Sequence, residues 1–182
     1  MFRRLVLVAT LACAGVLLAG CAPEPDPTPS PTAPFASEAE AFAAAEKTYR
    51  AYVDALNNVD LSDPATFEDL YVWETGDALA TDKEAFTTMH ADGWTMNGTT
   101  VVTLIQPADT AMGTALELRV NACADVSDVT IEDGEGASMV DQDRGNMQSL
   151  LITFNRSTST PTGWAIAQVD GREEGPSCES SS

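Results

Sequence analysis

Basic side chains are scarce in this sequence of 182 residues. Nine lysines and arginines stand against 28 aspartates and glutamates, and the formal net charge at pH 7 is −19. Only Lys47 and Lys83 supply lysine. A chain with this charge repels nucleic-acid phosphates, which excludes nucleic acid as a partner. It also repels anionic lipid headgroups, so attachment to a membrane would need something other than a basic surface.

Long hydrophobic runs are absent as well. The longest apolar segment covers residues 5–18, and its 14 residues are too few for a membrane-spanning helix, which needs about 20. Arg3 and Arg4 precede this segment, and the small residues Ala19 and Gly20 follow it. A positive start, a short apolar run and small residues at its end are typical of an export signal. We therefore predict a signal peptide over residues 1–20.

The four residues Leu18-Ala19-Gly20-Cys21 close that segment. They resemble the lipobox of bacterial lipoproteins, in which the cysteine is the first residue after the cleavage site. The resemblance implies that the Cys21 sulfur carries a diacylglycerol with acyl chains of the palmitate type. The alternative is an ordinary signal peptide that happens to end beside a cysteine. Because two or more acyl chains hold a protein stably on a bilayer, we expect the chain at the extracytoplasmic face of the cell membrane.

Cysteine and histidine are also few. Of the four cysteines, Cys13 lies in the signal peptide and Cys21 at its end, which leaves Cys123 and Cys178. Two thiols in an exported domain are expected to form one disulfide, and a loop of this size stabilises the fold by about 3–4 kcal/mol in the chain-entropy model. A metal site needs more ligands than these two thiols and the single histidine, His90. We expect neither a metal nor a cofactor.

The residues after Cys21 divide into a linker, a domain and a tail. Six prolines fall within residues 22–36, a composition that favours an extended spacer. A ligand for a proline-recognising domain is the alternative interpretation. We predict a lipidated, proline-rich linker over residues 21–36, a single folded domain over residues 37–178, and a disordered tail over residues 179–182.

The first part of the domain has helical periodicity. Ser37 and Glu40 have the spacing of a capping box, and an apolar stripe follows as far as residue 56. Pro64 suits the first position of a second helix, which Gly76 is expected to end. Asp82 is positioned to cap a third helix, which would stop near residue 93.

The second part of the domain alternates in the manner of strands. We predict five strands, over residues 99–106, 114–121, 126–132, 148–156 and 164–170. Helices followed by strands indicate the α+β class, with N-terminal helices packed on a curved antiparallel sheet. This element order, together with the segment at residues 66–71, is similar to the nuclear transport factor 2-like, or cystatin-like, cone domain. That family contains isomerases, dehydratases, cyclases and non-catalytic modules, so the resemblance alone decides no function.

The candidate site residues are aromatic groups around the histidine. Tyr71, Trp73, His90 and Trp94 are candidates to line a pocket in a cone, although such residues also serve simply as core. We find no catalytic motif. One hypothesis is a non-catalytic domain that binds a protein partner in the cell envelope. The alternative is a small-molecule-binding module, or a cone-fold enzyme, that acts on an apolar substrate. A deep pocket holding Asp or His beside aromatic groups would favour the alternative. A filled core with an exposed apolar patch on the sheet would favour the partner-binding domain.

Overall fold

A computed structural model describes residues 35–108 and 117–178. The predicted signal peptide, Cys21, most of the proline-rich linker and the predicted tail lie outside the described residues. Three helices come first: α1 (Glu38–Leu56), α2 (Ala65–Tyr71) and α3 (Gly76–Ala91). Six strands follow: β1 (Thr95–Asn97), β2 (Val101–Pro107), β3 (Glu117–Asp125), β4 (Thr130–Glu132), β5 (Met147–Arg156) and β6 (Trp164–Gly171). This order confirms the predicted α+β class.

The strands form two antiparallel sheets. The larger sheet has the order β2-β3-β5-β6, and β1 pairs with β4 in a two-stranded ribbon. In the larger sheet Val120 of β3 lies opposite Ile152 of β5, and Phe154 of β5 lies opposite Ile166 of β6. The register shifts once between β2 and β3 and once between β5 and β6. Such irregularities bend and twist strands, which is consistent with a curved sheet.

The hydrophobic core lies between the helices and one face of the larger sheet. Alternate residues of each strand point to this face, and the fully buried members include Val120, Ile152, Phe154, Trp164 and Ile166. The indole N–H of Trp164 donates a hydrogen bond to the carbonyl oxygen of Ala41 on α1 at 3.0 Å. This bond satisfies the polar atom of the largest buried side chain and fixes α1 against β6.

The start of α1 follows the predicted cap, with one difference. The Ser37 hydroxyl accepts a hydrogen bond from the Glu40 amide at 3.1 Å, as expected. The Glu40 carboxylate, however, accepts from the amide of Ala36 at 2.7 Å rather than from that of Ser37. Phe35 stacks on Trp164 with ring centroids 5.5 Å apart. The ordered contacts of the domain therefore begin two residues before its predicted start.

The prediction that Asp82 caps the third helix is wrong. Helix α3 begins at Gly76, so Asp82 lies inside it. Gly76 has a φ of +56°, a left-handed conformation that glycine adopts without steric cost. It therefore turns the chain into α3, whereas we predicted that it would end α2, which already stops at Tyr71. Asp82 therefore lies on a half-buried face of α3 and not at an exposed helix end.

The strand predictions hold for the long strands and fail for the short ones. Strands β2, β3, β5 and β6 overlap the predicted segments, although residues 114–116 lie outside the described part of the chain. The predicted strand over residues 126–132 shrinks to Thr130–Glu132, because Val126 and Val129 form a hydrogen-bonded turn. Strand β1 was not predicted. With three residues, it is too short to show an alternation.

A disulfide joins Cys123 of β3 to Cys178 near the C-terminus, with Cα atoms 5.5 Å apart. This is the pairing that the cysteine count predicts. Arg172 supports the same segment, because its backbone amide donates to Ser149 at 2.9 Å and its guanidinium donates to Leu150 at 3.2 Å. The residues after β6 are thus fixed to β5 and β3. Within residues 35–108 and 117–178, no helix is both long and apolar enough to cross a membrane.

Candidate functional site

A cleft of about 340 Å³ lies where α1, α3 and β6 meet. We call it the acidic cleft, because its lining includes four carboxyl groups, those of Glu74, Asp77, Asp82 and Asp170. Tyr52 of α1 is the aromatic residue that lines it. Its volume falls at the lower end of the range of small-molecule sites, about 300–1,000 Å³.

The position of Glu74 is set by the backbone between α2 and α3. The chain here pairs with β6 as a parallel bridge between Glu74 and Ile166. Two hydrogen bonds flank the bridge: the Thr75 amide donates to the Ile166 carbonyl at 2.8 Å, and the Ile166 amide donates to the Trp73 carbonyl at 2.9 Å. Held in this way, the Glu74 side chain is only 7% exposed.

Tyr52, Asp82 and Glu74 form a chain of hydrogen bonds. The Tyr52 hydroxyl donates to Asp82 Oδ2 at 3.0 Å. The carboxyl of Glu74 is hydrogen-bonded to that of Asp82, which requires a proton between the two acids. Apart from the Asp82 carboxyl, no hydrogen-bond partner of the buried Glu74 Oε2 is seen in the described parts of the chain. We call these three residues the acid cluster.

Burial and mutual charge separate the protonation states of the two acids. Burial is the main cause that raises the pKa of Glu74 to about 9, and the Asp82 charge and hydrogen bond add to it. Burial also raises the pKa of Asp82, but the hydrogen bonds from Glu74 and Tyr52 pull it down. The shared proton therefore belongs to Glu74 at neutral pH, and Asp82 is the ionised member. Burial likewise raises the pKa of Tyr52, so its hydroxyl remains a donor.

This arrangement has a definite chemical character. It presents a half-buried anion, Asp82, beside a buried neutral acid, Glu74, in an open cleft. Two acids in different protonation states offer an acceptor and a proton donor at one place. Asp77 and Asp170 are exposed and add negative charge at the rim. Across the described residues, no group of three His, Cys, Asp or Glu side chains is arranged to hold a metal ion.

The residues proposed from sequence lie elsewhere. Tyr71 and His90 both contact the buried Phe67 ring, each at a centroid distance of 6.4 Å. His90 is exposed, and its Nδ1 lies 2.7 Å from the Leu61 carbonyl oxygen. Trp73, Trp94 and Tyr71 are half-buried and pack against the hydrophobic core. None of these four lines the acidic cleft. A pocket formed by the four together stays a prediction.

Sequence reasoning missed the acid cluster because of the helix boundary. In the sequence, Tyr52 falls within the apolar stripe of α1 and Asp82 is predicted to cap a helix. Glu74 has no predicted role. A signal for Asp82 was present: Ala78 and Phe86, four residues before and after it, are both buried. Residues at this spacing share one helix face. Starting α3 at Gly76 would thus have placed an acid in a buried stripe.

Comparisons with known proteins do not identify a family for this chain. No family model matches the chain, and no curated protein sequence matches it. Among solved structures, the fold is similar to the intermembrane-space region of the chloroplast protein ARC6, at 12% identity and a TM-score of 0.49, covering 71% of this chain and 95% of that one. It is also similar to a periplasmic fragment of TraM, at 15% identity and a TM-score of 0.36, covering 76% and 98%. At these scores, neither likeness bears on function.

Proposed function

We propose that this chain is an extracytoplasmic domain, anchored by lipid at Cys21, that binds a small polar ligand in the acidic cleft. The lipobox-like segment supports the anchor. The Cys123–Cys178 disulfide supports an oxidising compartment, since disulfides persist outside the cytoplasm. The acid cluster supports the ligand site.

The observation that carries the ligand site is the buried Glu74 carboxyl beside Asp82 in an open cleft. Taking the Glu74 carboxyl out of water beside another acid opposes folding. In a cleft, an acid whose pKa is strongly shifted by burial and a charged neighbour is a candidate for a functional site. A role in binding accounts for residues that stability alone would not favour.

The character of the cleft also bears on the two hypotheses from sequence. It holds Asp82 beside the aromatic Tyr52, which favours the small-molecule alternative. Its lining is polar, however, with Gln168 and Thr81 among the acids, so we assign it a polar ligand rather than the apolar substrate first expected. The exposed large apolar side chains of the described residues, Val72, Val101, Met139 and Val169, fall on four separate segments. Binding of a protein partner stays a prediction.

The proposal is tested by a fragment titration of the full chain in detergent. Polar fragments of cationic, neutral and anionic classes are added separately, and backbone amide signals are followed by NMR. We expect at least one class to shift the signals of Thr81 and Gln168, and Asp82→Asn to weaken that binding at least tenfold. Glu84→Gln, an exposed change on the same helix, is the matched control. If no class shifts the cleft signals, the proposal is wrong.

A further inference from the structure

We propose that the ligand of the acidic cleft is a small organic cation, a primary ammonium or a guanidinium, whose N–H groups bind Asp82 and the rim carboxylates and whose binding expels the proton of Glu74. This inference rests on the proposed function and names the ligand class of the same site.

The charge of the lining supports a cation. Four carboxyl groups line the cleft, and among its described lining residues none is Lys, Arg or His. Lys83 follows Asp82 in sequence, but its ammonium lies over the Tyr71 ring, 5.1 Å from the centroid. A cleft lined by one sign of charge concentrates ions of the opposite sign, and the net charge of −19 strengthens the effect. The same negative charges would repel an anionic ligand.

The unmet hydrogen-bonding capacity supports a ligand rich in donors. Glu74 is only 7% exposed, and the one hydrogen-bond partner seen for its carboxyl among the described residues is the Asp82 carboxyl. Buried polar atoms are nearly always satisfied, so a Glu74 that has lost this shared proton needs donors from a ligand. An ammonium carries three N–H donors and a guanidinium five. Either group supplies donors to several carboxylates at once, and once Glu74 ionises, both of its oxygens become acceptors.

The volume of the cleft and the arrangement of its carboxyl groups argue for an organic cation rather than a metal ion. A cleft of about 340 Å³ is far larger than a dehydrated ion requires. Calcium takes six to eight oxygens at close range, and the described residues hold no group of three side chains suited to that. An ammonium or guanidinium on a short carbon chain fills more of the space and needs fewer close acceptors.

Loss of the proton follows from the titratable groups that line the cleft with Glu74. These are Tyr52 from α1, Asp77 and Asp82 from α3, and Asp170 from β6, and none of them carries a positive charge. In the empty cleft the charge of Asp82 favours the neutral form of Glu74. A bound cation favours the ionised form. Because protons then compete with the ligand below a pKa of about 9, affinity rises with pH, by at most about tenfold per unit.

The test uses n-butylammonium and n-butylguanidinium chlorides, with n-pentanol and pentanoate as neutral and anionic analogues, and calcium chloride. Each is titrated into the full chain in detergent at pH 6.5 and pH 8. We expect one of the two organic cations to shift the Thr81 and Gln168 signals and to bind at least fivefold more tightly at pH 8. Calorimetry in two buffers of different ionisation enthalpy should show proton release. n-Pentanol, pentanoate and calcium should not displace the bound cation from the cleft.

Two variants test the proton release and the cation binding separately, and the second leaves the buried acid unchanged. Glu74→Gln should remove the proton release and the pH dependence, while Glu84→Gln should leave both unchanged. Asp77→Asn alters an exposed rim group and should weaken cation binding at least threefold without unfolding the chain. Tighter binding of pentanol, pentanoate or calcium would overturn the cation assignment and leave the cleft as a ligand site. An absence of binding by all five probes and by every fragment class would overturn both proposals.

Discussion

At the scale of single residues, Glu74 departs furthest from its ordinary state. Its carboxyl stays protonated at neutral pH because burial penalises the charge and Asp82 already carries one. Asp82 in turn is held by the Tyr52 hydroxyl at 3.0 Å. Neither role was visible in the sequence, because each depends on side chains from separate elements that meet only after folding. Tyr52 has the same helical spacing as an ordinary core residue.

The raised pKa of Glu74 makes stability depend on pH with a definite sign. The folded value of about 9 lies above the ordinary 4.5, so the folded chain binds more protons than the unfolded chain between these values. We therefore expect the free energy of unfolding to fall by more than about 2 kcal/mol from pH 5 to pH 9. Glu74→Gln should abolish most of this loss in urea titrations at pH 5, 7 and 9. An unchanged slope in that variant, relative to Glu84→Gln, would contradict the assignment.

The hydroxyl of Tyr52 provides a second test at the residue scale. Tyr52→Phe removes one of the two hydrogen bonds to the Asp82 carboxylate and leaves the aromatic packing intact. We expect it to lower the free energy of unfolding at pH 7 by about 1–3 kcal/mol. Tyr71→Phe is the control, since no hydrogen bond of its hydroxyl is seen in the described residues and the ring is only half-buried. Equal effects of the two changes would show that the Tyr52 hydroxyl has no special role.

At the scale of elements, caps and periodicity predicted most of the fold. Ser37 starts α1 as expected, and the alternation of Leu118 and Val120 matches a buried face of β3. Two features were predicted incorrectly. Strand β1 was missed and the strand at β4 was predicted too long, because strands of three residues are too short for an alternation to appear. The start of α3 was misplaced, because Gly76 suits both the end of a helix and the turn that enters one.

That turn can be tested directly. Gly76 has a φ of +56°, and an added Cβ would lie 3.5 Å from the Ala167 carbonyl oxygen, an ordinary contact. The cost of Gly76→Ala is therefore conformational, about 1 kcal/mol. We also expect a change at the acid cluster, visible as a shift in the midpoint of Glu74. Gly171→Ala is the control, since nothing lies within 4 Å of its added Cβ. Thermal melts that show no difference between the two variants would argue against a left-handed backbone at Gly76.

At the scale of the whole molecule, one covalent bond ties the C-terminal segment to the sheet. The disulfide spans a sequence separation of 55 residues. Replacing Cys123 and Cys178 with serine should lower the free energy of unfolding by about 3–4 kcal/mol. Arg172 keeps its backbone contacts to β5 in that variant, so the fold itself should persist. Equal stability of the variant and the parent chain in urea titrations would contradict a structural role for the bond.

The predicted attachment to the membrane also belongs to this scale and rests on sequence alone. We expect Cys21→Ser to abolish membrane retention, because a net charge of −19 opposes electrostatic binding to anionic lipids. Fractionation of cells expressing each form, followed by immunoblotting, gives the result. Ala22→Ser, the neighbouring change, is the control. A Cys21→Ser chain that still sediments with membranes would exclude the lipid anchor.

The protonated acid in the acidic cleft is tested most directly by observing Glu74 itself. Glutamate labelled with ¹³C at the side-chain carboxyl is incorporated into the full chain, and Glu74→Gln identifies its signal. The carboxyl shift is then followed from pH 4 to pH 10, with and without n-butylammonium chloride. We expect a midpoint near pH 9 in the empty cleft and a lower midpoint with the cation. A midpoint near the ordinary glutamate value, about 4.5, would contradict the acid cluster and the functions proposed from it.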